Sequence, residues 1–167
     1  LRYKGKEHEI TKKYTESAHG KGLLKSGLVV TAMCTNCHTA HHELPANDPA
    51  SSIHKDNVAV TCSQCHYGIY EQYVKSVHSP AVTKTGKELP VCSGCHTAHR
   101  IERTDLQRFR LEIMGRCGKC HTEIARTYFE TYHGKVSQLG YLKTAKCDDC
   151  HGAHDIQPVR DPRSHLN

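Results

Sequence analysis

The sequence is poor in the residues that build an ordinary hydrophobic core. Its 167 residues include no Trp, two Phe and two Met, and aromatic residues make up 6% of the chain. Hydrophobic residues of all kinds reach only 37%. A chain this polar buries little apolar surface by itself. We therefore expect additional apolar material, supplied by something other than side chains, to complete the core.

The chain also lacks a long hydrophobic run. Its most apolar window, residues 22–30, is interrupted by Lys25, and a membrane-spanning helix needs about 18 or more consecutive apolar residues. We expect no membrane span. The formal net charge is +6, but the basic residues are scattered rather than clustered, which argues against a nucleic-acid-binding surface.

All ten cysteines fall into five copies of Cys-x-x-Cys-His, at residues 34–38, 62–66, 92–96, 117–121 and 147–151. This spacing is the attachment signature of c-type haem, in which two thiols form thioethers with the porphyrin and the His binds the iron. We therefore predict five covalent haems c. The thioether residues would be Cys34, Cys37, Cys62, Cys65, Cys92, Cys95, Cys117, Cys120, Cys147 and Cys150, and the proximal ligands His38, His66, His96, His121 and His151.

Three other interpretations of the cysteines compete with haem. A zinc ribbon needs two Cys pairs for each metal ion, and five pairs leave one over. A disulfide scaffold explains an even number of cysteines but not the His after each pair. A thioredoxin-like redox pair would occur once. Haem attachment accounts for the number, the spacing and the His together.

The five motifs alternate between two types. Type I motifs, at Cys34, Cys92 and Cys147, have a second His three residues after the proximal one. Type II motifs, at Cys62 and Cys117, are instead followed by a His twelve residues on, across segments 66–78 and 121–133 with apolar residues at helical spacing. The chain also begins within a type II pattern, in which Tyr3–Glu7 occupy the place of the motif. We expect one unit over residues 1–167, made of about two and a half two-haem repeats.

Six further histidines recur at aligned positions and are the candidates for the sixth, distal ligand of each iron: His19, His41, His78, His99, His133 and His154. One register gives every iron two His ligands. In it, each type I haem takes the His that precedes its motif, and each type II haem takes the second His of the preceding type I motif. His154 is then left over, and bis-histidine ligation without Met favours low reduction potentials.

These motifs, together with the segments around His19 and His133, resemble the multihaem c-type cytochromes built from tandem CxxCH repeats. The resemblance implies short α-helices and coil wrapped around haems, with little or no sheet, and electron transport in anaerobic or metal-reducing respiration. Some members form extracellular filaments in which a His of one subunit completes a haem of the next. Haem c is attached outside the cytoplasmic membrane, so we expect a periplasmic or extracellular prokaryotic protein whose signal peptide has been removed.

The function expected from the sequence is electron transfer through five low-potential haems, without enzymatic activity. The partners would be redox proteins or extracellular acceptors, or copies of the same chain in a filament. The alternatives are a reductase of nitrite, hydroxylamine or a sulfur oxyanion with one open haem, a fragment of a larger cytochrome, or a role in which haems only hold the chain together.

Overall fold

The computed structural model describes residues 9–167, and the predicted motif-like segment Tyr3–Glu7 lies outside them. The described chain consists of ten short helices joined by turns, and it contains no strand. The helices are α1 (Ile10–Glu16), α2 (Ala18–Ser26), α3 (Cys34–His38), α4 (Val58–Ser63), α5 (Tyr67–Tyr73), α6 (Cys92–His96), α7 (Gln107–Gly118), α8 (Thr122–Glu130), α9 (Tyr132–Gln138) and α10 (Cys147–His151). The expected fold class, short helices and coil without a sheet, is confirmed.

The helical segments predicted after the type II motifs are interrupted before their His residues. The first helix ends at Tyr73, so His78 lies in a turn, and the second ends at Glu130, so His133 belongs to α9. The break after α8 occurs at Thr131, whose extended backbone caps α9. A new helix start thus orients His133 independently of α8.

The longest helix, α7, contains two of the few buried hydrophobic side chains. Phe109 and Met114 are buried, while Glu112 forms an ion pair of 3.6 Å with Arg108 and another of 3.2 Å with Arg116. Such i,i+4 pairs support an exposed helix face. Helix α7 packs against α8, which packs against α9.

The polypeptide has almost no hydrophobic core of its own. Among the described residues, only Ala59, Phe109 and Met114 are buried hydrophobic residues. The accessible surface is 11917 Å², whereas a compact monomer of this size exposes about 8,300 Å². Large hydrophobic side chains such as Val29, Val30 and Leu139 are more than three-quarters exposed. The chain by itself therefore leaves apolar surface uncovered.

Candidate cofactor-binding sites

The three type I motifs share one local structure. Each forms a five-residue helix from its first Cys to its proximal His (α3, α6 and α10), and each follows an extended residue with ψ of 176° to 177°. In two motifs a side chain of the helix accepts a hydrogen bond from this preceding residue. Asn36 Oδ1 accepts a hydrogen bond of 2.8 Å from Met33 N–H, and Asp149 Oδ2 accepts one of 2.9 Å from Lys146 N–H. The two thiols and the His of each motif are thereby presented on a single helical turn.

The residue after each type I helix turns the chain sharply. Thr39, Thr97 and Gly152 have φ of 66°, 65° and 76° with ψ near 175°, a region that residues other than Gly rarely enter. The Thr97 hydroxyl donates to Arg100 O at 2.8 Å, and the Thr39 hydroxyl makes the equivalent bond to the backbone three residues on. This turn directs the second His of the motif away from the first.

The two type II motifs instead lie where one helix ends and the next begins. Cys62 lies in α4 and Cys117 in α7, while His66 and His121 immediately precede α5 and α8. Both proximal His N–H groups donate at 3.0 Å to the carbonyl oxygen of the first Cys of the motif. The same five-residue pattern therefore has two structural settings.

A hydroxyl two residues upstream positions each of the histidines that precede a type I motif. Ser17 Oγ donates to Tyr14 O at 2.6 Å and accepts from Gly20 N–H at 3.0 Å. Thr131 makes the equivalent pair of bonds beside His133, at 2.6 and 3.2 Å. Next to His78, Ser76 Oγ accepts from the His78 N–H at 3.2 Å.

A tyrosine five residues before each of these histidines ties the segment to the next type I motif. The hydroxyls of Tyr14 and Tyr128 donate at 3.0 Å to Ala32 O and Ala145 O. Tyr73 makes the corresponding contact with Pro90 O at 3.4 Å. In all three cases the carbonyl lies two residues before the first Cys, so this contact is part of the repeat.

Four pairs of imidazole rings face one another at nearly equal distances. The ring centres are 6.2 Å apart for His19–His66, 6.0 Å for His38–His99, 6.1 Å for His78–His121 and 6.0 Å for His96–His154. Every pair joins one proximal His with one distal candidate. The type I pairs are close to parallel, at 3° and 15°, and the type II pairs are tilted by 33° and 43°.

This separation fits a metal ion held between the two rings. A metal–imidazole bond is about 2.0–2.1 Å, so two such bonds plus the distance from each nitrogen to its ring centre give about 6 Å. The residues present therefore fit a bis-histidine iron. The Cys pairs that precede four proximal His residues would attach the porphyrin at the same places.

Burial keeps several of these rings in the form that binds a metal. It is the main cause that lowers the pKa of His19, His78, His96 and His154, and the facing imidazole lowers the pKa further at His19, His78 and His96. A neutral imidazole has the free lone pair that a metal requires. Three of the four ring pairs contain at least one of these residues.

None of the ten cysteines forms a disulfide, and successive motifs bring their sulfur atoms close together. A hydrogen bond with Cys62 lowers the pKa of Cys92 to about 7, and a bond with Cys117 does the same for Cys147. The thiolate is the reactive form of cysteine. The second and third motifs, and the fourth and fifth, are therefore direct neighbours.

The observed ring pairs differ from the register predicted from the sequence. That register assigned His19, His78 and His133 to the haems of Cys34, Cys92 and Cys147, and His41 and His99 to those of Cys62 and Cys117. In the structure His19 and His78 face the proximal rings of the type II motifs at Cys62 and Cys117. His99 and His154 face those of the preceding type I motifs at Cys34 and Cys92. His154, which was expected to be left over, has a partner.

Long-range backbone contacts explain why the ring pairs differ from the register that spacing predicts. Ala18 N–H donates to Ile101 O at 2.7 Å, and Val77 N–H donates to Ile156 O at 2.9 Å. Each segment with an upstream His thus pairs with a turn that follows a type I motif much later in the chain. The sequence carries no local signal for this pairing.

Three residues of the predicted set have no imidazole partner among residues 9–167: the proximal His151 and the distal candidates His41 and His133. The ring of His133 contacts Tyr132 instead, at 6.1 Å. His41 is exposed. Within residues 9–167, the fifth motif therefore has a proximal His that no other imidazole faces.

No group of three or more His, Cys, Asp or Glu side chains converges on a bare-ion site within residues 9–167. The same residues include no helix long and apolar enough to cross a membrane. No family model, curated protein or solved structure matches the chain.

Proposed function

We propose that the chain binds five haems c covalently and acts as a periplasmic or extracellular electron conduit, as the multihaem c-type cytochromes that it resembles do. The observation that supports this most is the set of four imidazole pairs at 6.0 to 6.2 Å, each containing the His of a CxxCH motif. Bound haem would supply a one-electron iron couple at each motif.

Side chains of two kinds, Cys and His, would hold each haem. In the proposed holoprotein, the two thiols of a motif would attach the porphyrin, and the proximal His and a His from another repeat would both ligate the iron. Four irons would then have no position left for a substrate. This saturation favours electron exchange over catalysis.

The order of the motifs in space supports a continuous path. Thiols of successive motifs interact in four steps: Cys37 with Cys65, Cys62 with Cys92, Cys95 with Cys120, and Cys117 with Cys147. Each motif therefore neighbours the next one in the sequence, as in other repeat proteins that are close to one-dimensional.

The first test is the cofactor content of the protein produced with a haem-attachment system. We expect a denatured chain whose mass includes five haems, and a low-spin optical spectrum for at least four of them. Replacing Cys62 and Cys65 by Ala should remove one haem. A chain that carries zinc or disulfides in place of haem would overturn the proposal.

The repeat also favours a second role, as the subunit of a head-to-tail polymer. In two places the N–H directly before an upstream His donates to the carbonyl oxygen two residues after the second His of a type I motif: Ala18 to Ile101 and Val77 to Ile156. The equivalent donor before His133 is Tyr132 N–H, and the equivalent acceptor after His41 is Glu43 O. Glu43 O has no backbone partner within residues 9–167, and Tyr132 is the first residue of α9, where N–H groups lack intrahelical acceptors. A second copy would bring these two groups together.

The histidines without a facing ring lie in the same two regions as these two backbone groups. His41 is equivalent to His99 and His154, which face the proximal rings of preceding type I motifs. His151 is the proximal His of a type I motif, and no ring of the described part of the chain faces it. In the polymer, His41 of one copy would bind the iron at Cys147 of the next. A contact of this kind joins different surfaces and generates an open chain of subunits.

Electron microscopy of the holoprotein tests the polymer, with His41→Ala as the disrupting variant and His42→Ala, its exposed neighbour, as the matched control. Filaments that are lost only in the first variant support it. Discrete particles that bind carbon monoxide at one reduced haem would favour the reductase alternative, because the Cys147 iron would then be open.

A further inference from the structure

Arg116 connects the third and fourth motifs. It lies on α7 directly before Cys117, and its guanidinium Nη1 donates to Cys95 O in the preceding motif. The side chain is only 14% exposed. A positive charge is therefore held, largely out of solvent, at the junction of two motifs.

The equivalent junction between the first and second motifs is neutral. Cys37 O accepts a hydrogen bond of 2.5 Å from the hydroxyl of Ser52, and the residue directly before Cys62 is Thr61, whose hydroxyl donates to Ser52 O at 2.6 Å. The same backbone carbonyl is thus bound by a hydroxyl in one repeat and by a cation in the next. The hydrogen bond is retained, and the charge differs.

The charge lies close to the proximal ligand of the third motif. The Arg116 guanidinium carbon is 5.5 Å from the centre of the Phe109 ring, which packs 5.4 Å from the centre of the His96 ring. The guanidinium carbon is therefore no more than about 11 Å from the imidazole centre. Glu112, the ion-pair partner of Arg116 at 3.2 Å, is 43% exposed and better screened by solvent.

We propose that Arg116 raises the reduction potential of the haem held by Cys92 and Cys95 above that of the haem held by Cys34 and Cys37. The inference rests on the proposed haem binding. Reduction adds one electron, taken from an external one-electron donor, to a ferric iron, so a nearby cation stabilises the product more than the reactant. The third haem of the conduit would then hold an electron more tightly than the first.

The size of the effect follows from Coulomb's law. At an effective dielectric constant of about 20 and a distance of roughly 11 to 14 Å, one charge changes the reduction equilibrium about sevenfold to thirteenfold before the opposing charge of Glu112 is counted. A tenfold change corresponds to about 59 mV for a one-electron couple.

The test is a potentiometric titration of the holoprotein followed at the haem absorption bands. Arg116→Gln should lower the reduction potential of about one fifth of the haem signal, by an amount that corresponds to at least a fivefold change in the reduction equilibrium constant. Arg116→Lys should restore most of that potential. Glu112→Gln should shift the same component upwards. In a Cys92→Ala/Cys95→Ala background both shifts should disappear.

Ser52→Ala is the matched control, since it removes the equivalent hydrogen bond without changing charge, and it should leave the titration curve in place. Unchanged potentials in Arg116→Gln with all haems bound would overturn the inference. If that variant does not fold, a Glu112→Gln curve identical to the unmodified protein would do the same. A protein without haem, seen by mass, would instead refute the proposed function.

Discussion

Replacing His19 by Ala discriminates between the ring pairs of the structure and the register expected from spacing. The His19 ring is half-buried, and its centre is 6.2 Å from that of His66. In the proposed holoprotein the variant removes the distal ligand of the Cys62 haem. We expect one haem in five to change from low to high spin, measured by optical absorption and electron paramagnetic resonance.

A second background identifies which haem responds. With Cys62 and Cys65 both replaced by Ala, the haem that faces His19 is absent, so His19→Ala should change no further haem. If His19 ligated the Cys34 haem, the fifth of the signal lost in the parent would still be lost in this background. That persistence would refute the pairing, and His42→Ala, an exposed His outside the ring pairs, serves as the control in both backgrounds.

The remaining predictions concern stability and are measured by thermal unfolding of the holoprotein. Gly152→Ala should destabilise by about 1–3 kcal/mol, because Gly152 has a positive φ that strains a residue with a side chain; an unchanged midpoint would contradict the argument. Ser17→Ala should cost about 1–2 kcal/mol through loss of the α2 cap, and a neutral result would mean that water replaces it. Lys146→Met should cost about 1–3 kcal/mol, because the 1%-exposed Lys146 donates to two backbone carbonyl oxygens that would lose their partner; an unchanged midpoint would refute this role.

The fold class followed from the sequence because the determinants are local. A CxxCH motif fits within one helical turn, and no alternating pattern of a strand is present. The two motif types also correspond to two real settings, a separate short helix in type I and a helix junction in type II. The three turns after the type I helices were not foreseen, because Thr39 and Thr97 are residues that seldom take a positive φ.

The distal pairing did not follow from the sequence because it depends on contacts between distant segments. Spacing along the chain assigned His41 to the following type II motif, whereas the equivalent His99 and His154 face preceding type I motifs. The choice is made by bonds such as that from Ala18 N–H to Ile101 O. Ser17 and Ser76, which are buried and position the upstream histidines, gave no recognisable signal, since Ser is usually exposed.

The ring pairs run in two opposite directions along the chain. A type II motif faces a His that precedes it, as His66 faces His19, whereas a type I motif faces a His that follows it, as His38 faces His99. In the proposed holoprotein, each two-haem repeat would therefore send one ligand forward and one backward, so every interior repeat is tied to both neighbours by iron. Within residues 9–167, His41, His133 and His151 face no imidazole; by the same rule His41 would pair with a repeat before the first motif, and His133 and His151 with a repeat after the last. The stability of the holoprotein would then rise with each repeat added, as nearest-neighbour coupling requires. A second copy that pairs with these unmatched histidines would extend the same pattern of ligation.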